Sequence, residues 1–187
     1  TLLHEAIPIT GTIVSGTYTE DANIKTFAHG MFESVYDYPY LSSSANHIFD
    51  ICAGYSSNSL FSSSANTQNA KKINIYNQHA QVLYGYDATG SIQDFDTDGN
   101  IVAGGTKMKE VFFINFARLL AKDEIKKGSF RFKYYKTNTG FNPAARGALT
   151  TLGDYGASTS YKVNSPSGEY ALIYTSSAAP IGDGTDV

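Results

Sequence analysis

The densest apolar run in the chain is Val111 to Phe116, and beyond it Phe130, Arg131, Phe132, Lys133 and Tyr134 alternate strictly between ring and charge. A short aromatic and β-branched run, a charged stretch closed by Gly128 and then a period of two predict two antiparallel strands on one buried face. We read them as a core hairpin spanning Lys109 to Lys136. His47 to Cys52 predicts a buried strand and Ala53 to Leu60 a polar loop. Ser160 to Val163 and Glu169 to Thr175 predict a second hairpin around the turn Ser165-Pro166-Ser167-Gly168. Residues 1 to 20 alternate loosely through Ile7, Ile9, Thr12, Val14 and Tyr18 and predict one or two short strands. Tyr36, Tyr38 and Tyr40 are spaced by two, with Pro39 marking an edge or a strand end.

One stretch follows a different period. From Gln68 to Tyr84 the apolar residues Ile73, Tyr76, Ala80 and Leu83 recur at three- and four-residue spacing. Asn66 or Thr67 stands where an N-cap belongs, and Gly85 offers a C-terminal cap. This predicts one amphipathic helix over about 68–84, whose stripe needs the aromatic face of a sheet to cover it. The predicted fold class is therefore mainly β, of the α+β kind: an antiparallel sheet or sandwich with that helix packed on it. No composition shift forces a boundary, so 1–175 reads as a single β-rich domain and 176–187 as a flexible C-terminal tail. Leu41-Ser-Ser-Ser-Ala-Asn46 and Phe61-Ser-Ser-Ser-Ala-Asn66 echo one another, but a solenoid needs several stacked copies.

Composition narrows the function classes. A chain of 187 residues, 42% hydrophobic and 17% charged, with fourteen Tyr, eleven Phe and no Trp, is globular and suited to strands. A formal net charge of -3 argues against a nucleic-acid or membrane-surface binder. No apolar run approaches membrane-spanning length and no signal-peptide pattern opens the chain. The single cysteine, Cys52, cannot close an intrachain disulfide and reads as a buried small hydrophobe. Half of the basic residues, seven of fourteen, fall between Arg118 and Lys136 among aromatic rings. Alternation there predicts a half-buried strand with a solvated basic face, and functionally a surface for an acidic protein partner.

The sharpest local motif is Asp94-Phe95-Asp96-Thr97-Asp98-Gly99-Asn100-Ile101. Carboxylates at alternate positions, glycine at the sixth and an apolar residue at the eighth match the first two-thirds of a calcium loop. The twelfth position, where a bidentate Glu closes the shell, is Gly105. Asp94, Asp96 and Asp98 are thus candidate metal ligands, with calcium as the one ion the sequence suggests. The other reading is a turn in which Asp98-Gly99 supplies the positive φ and the aspartates are solvated. Gly99 to Lys107 has its lysine in the wrong order for a phosphate loop, and Gly54-Tyr55-Ser56-Ser57-Asn58 lacks the second glycine of a hydrolase elbow. His4, His29, His47 and His79 lack metalloprotease spacing. The chain reads as a non-enzyme, and a site joining His47 or His79 to an acidic partner is what would reopen that question.

The block from Ser34 to Lys133, above all Val35–Asp50, Asn66–Tyr76 and Lys109–Leu120, resembles virion structural proteins of T4-like marine bacteriophages with contractile tails. The likeness extends to Leu152–Ser158 and Val163–Tyr170. It implies a structural or assembly protein of the tail or baseplate region, with no catalytic residues to carry over. Its expected partners are copies of itself and other virion proteins, and its expected place is the virion, assembled in the host cytoplasm. The alternative from the residues alone is a receptor- or carbohydrate-binding β-module, with Tyr36, Tyr38 and Tyr40 as stacking platforms.

Overall fold

A computed structural model describes residues 22–65, 67–101, 104–116, 125–135 and 149–175. The strands predicted within residues 1–20 and the tail 176–187 lie outside these. The fold is mainly β, with antiparallel sheets and two helices among the described residues. In chain order the elements are β1 (Ile24–Lys25), β2 (Glu33–Tyr36), β3 (His47–Tyr55), α1 (Asn69–Leu83), β4 (Glu110–Asn115), β5 (Arg131–Tyr135), β6 (Leu149–Gly153), α2 (Ala157–Ser160), β7 (Lys162–Ser165) and β8 (Gly168–Tyr170). Backbone contacts group the chain into two compact units, Thr1–Tyr76 with Lys109–Asp123 and Asn77–Met108 with Glu124–Val187.

The first unit is built on a four-stranded antiparallel sheet in the order β1-β2-β3-β4. Its spine is β3, a nine-residue strand whose sequence, His-Ile-Phe-Asp-Ile-Cys-Ala-Gly-Tyr, places buried side chains on both faces. Such a strand needs neighbours on both edges to satisfy its buried amides. It takes β2 on one side and β4 on the other, with Ala53 opposite Phe112 and Ile51 opposite Ile114. The core clusters Val35, Ile48, Phe49, Ile51 and Ala53, with Ile114 and Phe116 packed against it.

This pairing corrects the predicted hairpin. The apolar run at 111–116 is a strand, and 131–135 is another, but they do not pair with each other. β4 pairs with β3, whereas β5 pairs with β6, setting Phe132 opposite Leu152. A tight hairpin joins its strands through a few residues. Here the two runs are far enough apart in sequence for each to find a better partner, since long loops add little closure entropy. The predicted polar loop from Ala53 is also too early, because β3 continues to Tyr55.

The helix matches its prediction closely. Its first intrahelical bond runs from the Lys72 amide to the Gln68 carbonyl at 3.0 Å, so Gln68 is the N-cap and Thr67 precedes it; Asn66 lies outside the described residues. Gly85, at φ +82°, closes the other end with its amide on the Ala80 carbonyl at 3.0 Å. The buried stripe is Lys72, Ile75, Tyr76 and Ala80, so it is rotated from the predicted one: Leu83 is exposed and a lysine is inside. The helix lies tight against β3, since a Cβ on Gly54 would come 2.7 Å from the Tyr76 amide nitrogen. No helix among the described residues is long and apolar enough to cross a membrane.

In the second unit, β7 and β8 pair as a hairpin about the predicted turn, but the second strand ends at Tyr170 instead of running to Thr175, and Tyr174 bridges to Gly153 instead. Its turn docks onto the end of α1, with Ser165 Oγ donating to the Leu83 carbonyl and Ser167 Oγ to the Val82 carbonyl, both at 2.6 Å. Pro166 sits against Gly85. Two turn signals far apart in sequence are thus one contact, in which hydroxyls cap helix carbonyls that would otherwise lack partners.

Candidate functional site

The three aspartates of the calcium-like motif do not face a common point. Asp96 is 1% exposed and its Oδ2 accepts from Lys107 Nζ at 2.5 Å across a β-bridge between the two residues. Gly105, at φ +69°, makes room for it: a Cβ there would lie 2.6 Å from Asp96 Oδ1. Asp98 has different partners, accepting from the Asn100 amide at 3.0 Å and from the Asn100 side-chain nitrogen. Among the described residues no three His, Cys, Asp or Glu side chains come together so as to hold a metal ion. The glycine at the twelfth motif position therefore has a packing reason.

Burial works to raise the Asp96 pKa, but the Lys107 hydrogen bond and the Asp98 amide outweigh it, and the carboxyl lies below its ordinary value of 3.8. A depressed pKa contributes stability that is present above about pH 4 and lost as pH falls through the folded value. Lys107→Met is expected to cost about 2 kcal/mol at pH 7, because burial is then opposed only by the hydrogen bonds with Asp98. That deficit should shrink on acidification to pH 3 as the orphaned carboxyl takes up a proton. Urea denaturation at pH 7, 5 and 3 measures it, and a deficit independent of pH would contradict the pairing.

His47 does meet an acidic partner. Its Nε2 lies 2.7 Å from Asp50 Oδ1, the same oxygen that accepts from Ser34 Oγ at 2.6 Å. The order is serine, carboxylate, imidazole. Hydroxyl activation needs the imidazole in the middle, and Ser34 is buried at 5% exposure. The trio instead ties β2 to β3. Cys52 is free and half-buried; burial raises its thiol to about 11 against the weaker pull of Lys72, so it stays protonated at neutral pH. His79 lies half-buried on α1.

Two of the basic residues around β5, Arg131 and Lys127, are drawn into the second unit's own contacts, whereas Lys133 on the strand is exposed. Arg131 donates to Asp154 at 3.2 Å and stacks 4.2 Å from the Tyr155 ring centre. Lys127 reaches Glu169 at 2.5 Å and lies 3.5 Å from the Tyr161 ring centre. Asp154 also accepts from the Gly128 and Phe130 amides, so one buried carboxylate organises the turn before β5. A hollow of about 200 Å³ nearby is lined by Gly156, Ala157, Ser160, Tyr161, Lys162, Ala171, Leu172 and Tyr174, with no carboxylate or imidazole among them.

What stands out on the first unit are three large apolar side chains left exposed. Leu60 is 97% and Phe61 60% exposed, and Phe112 of the outer strand β4 is 62% exposed. The loop carrying Leu60 and Phe61 is firmly built. Ser56 Oγ accepts from the Asn58 amide, Ser59 Oγ accepts from the Phe61 amide, and Ser62 Oγ donates to the Ser57 and Ser59 carbonyls. Two further bonds fix it to the start of β4, from the Ser59 hydroxyl to the Glu110 carboxylate and from the Ser56 amide to the Lys109 carbonyl. The Phe61 ring leans on buried Tyr55, with centres 6.2 Å apart. The other Ser-Ser-Ser echo does something similar, since Leu41 at its head is 86% exposed.

Leu60 and Phe61 carry no signal of their exposure in the sequence, because a polar-loop composition hides the direction in which its two large residues point. The serines are the available signal: hydroxyls that bond local backbone make a loop rigid. Of the three tyrosines, Tyr38 and Tyr40 are exposed and Tyr36 is half-buried, but the Tyr36 and Tyr40 rings are tilted by 44° and form no flat platform. No family model, no curated protein and no solved structure matches this chain.

Proposed function

We propose that this chain is a structural and assembly protein of a phage virion, from the tail or baseplate region. On this reading it works through contacts with its own copies and with other virion proteins, without catalysis. The likeness of Val35–Asp50, Asn66–Tyr76 and Lys109–Leu120 to such proteins suggests the setting. The observation that carries the reading is Leu60, 97% exposed at the tip of a loop that hydroxyl bonds hold in place. An apolar group kept in water by ordered backbone is poised for burial by a partner, and little entropy remains to be lost when that happens.

The test is the mass of the full chain by sedimentation and light scattering over a wide concentration range. The expected result is association above the monomer. The double variant Leu60→Ser, Phe61→Ser is expected to weaken that association, or binding to a virion partner, by more than about tenfold, from the apolar area withdrawn. A chain that stays strictly monomeric at high concentration and captures no virion protein would refute the reading.

A further inference from the structure

The backbone of β4 has one side bonded to β3, and no described strand lies on its other side. The bond from the Ser56 amide to the Lys109 carbonyl, at 2.8 Å, fixes the phase of the ladder. It is the bond that flanks Tyr55–Glu110 when that pair is of the non-hydrogen-bonded kind. The register from there to Asp50–Asn115 runs without a shift, so Val111, Phe113 and Asn115 bond inward to β3. The N–H and C=O groups of Glu110, Phe112 and Ile114 consequently point outward.

Edge strands are ordinarily blunted by proline, lysine or a bulge. Glu110–Asn115, Glu-Val-Phe-Phe-Ile-Asn, has none of these. Its outward set is symmetric about Phe112, two residues to either side. Laid antiparallel against itself with Phe112 opposite Phe112, the strand places Glu110 opposite Ile114 of the second copy and Ile114 opposite Glu110. All three outward residues of each strand then pair in the closely bonded manner, which gives about six main-chain hydrogen bonds. The two exposed Phe112 rings cover one another, and the Glu110 carboxylates stand at opposite ends. A register centred one residue away, on Phe113, leaves Glu110 unpaired with either of the other two.

We infer that β4 is the seam of a two-fold dimer, in which it pairs antiparallel with β4 of a second copy about Phe112 and doubles the four-stranded sheet to eight strands. A two-fold contact must be self-complementary, and this edge is. The inference rests on the proposed role in assembly and names one interface through which copies meet, separate from the contact made by the Leu60–Phe61 loop.

Phe112→Cys and Ile114→Cys, each made in a Cys52→Ala background of the full chain, test it under mild oxidation. In the inferred register the Phe112→Cys sulfurs face one another at a bridgeable separation, about 5.5 Å between Cα atoms. The Ile114→Cys positions lie about 13 Å apart, four residues along the strand, beyond the reach of a disulfide. The expected result is a covalent dimer from Phe112→Cys and none from Ile114→Cys. Ile114→Pro removes an outward amide without touching the β3 ladder, and is expected to abolish the dimer in sedimentation while the thermal transition persists. Equal cross-linking at both positions overturns the register. Self-association that survives Ile114→Pro with no Phe112→Cys cross-link overturns the seam while leaving the assembly role intact. A wild-type chain that remains monomeric overturns the seam, and if it also captures no virion protein the assembly role falls with it.

Discussion

Gly54→Ala is expected to be among the most damaging single-methyl changes available in this chain. The added Cβ would sit 2.7 Å from the Tyr76 amide nitrogen and 3.0 Å from its Cα. Both are backbone atoms of the helix that covers the sheet, so no side chain can swing aside and the helix must lift. Tyr76 itself is fully buried, and Ala80, one turn on, is too. Lifting the helix therefore loosens the packing of both. Forced overpacking of this kind costs about 3 kcal/mol, a large share of a domain's net stability. Urea denaturation followed by far-ultraviolet circular dichroism measures it. Gly90→Ala is the control: nothing lies within 4 Å of its Cβ, so only the φ of +83° is penalised, at about 1 kcal/mol. Equal losses at the two positions would mean that the close approach of helix and strand is not what Gly54 serves.

That glycine illustrates which parts of the fold could be read from the chain. Local periodicity located the helix, since 69–83 is set by spacing within the segment, and it located the 162–170 hairpin, whose turn residues dictate their own φ. It also found the strands at 111–115 and 131–135. What it could not give is which strand lies beside which, because the choice of β3 for β4 depends on β3 being buried on both faces, a property of the assembled sheet. Gly54 in sequence resembles part of a failed hydrolase elbow; only the helix above it explains the missing side chain. The aspartate motif follows the same rule. Asp96 is placed by Lys107, a residue the metal reading treated as part of another motif, and alternation of carboxylates does not reveal a cation already supplied by the chain. The candidate contact surface was the least legible of all. Exposure of Leu60 and Phe112 depends on what fails to cover them, and no local pattern records that.

Lys72 is the second residue whose loss is expected to be large, and it separates volume from charge. It is fully buried on the inner stripe of α1, where an apolar side chain belongs, and its Nζ donates to the Gly30 carbonyl at 3.1 Å. Beside it Lys71 donates to the His29 carbonyl at 2.9 Å, so two successive lysines hold the loop before β2. Burial lowers the Lys72 pKa, and Cys52 and buried Glu33 resist that shift without cancelling it. Lys72→Ala is expected to lose about 3 kcal/mol or more, through the cavity left by the stem and the weaker compensation of Glu33. Lys72→Met keeps most of the volume, so its loss should be smaller, and adding Glu33→Gln should recover part of it. The sign with pH follows from the direction of the shift. A lysine whose folded pKa is lowered destabilises the fold while charged, and this penalty is relieved as pH rises from the folded value toward the ordinary 10.5. Wild-type stability should therefore gain on that of Lys72→Met between neutral pH and about pH 10, measured as the difference between their urea midpoints. A gap that stays constant over that range would mean that Lys72 holds its place by packing and hydrogen bonding alone.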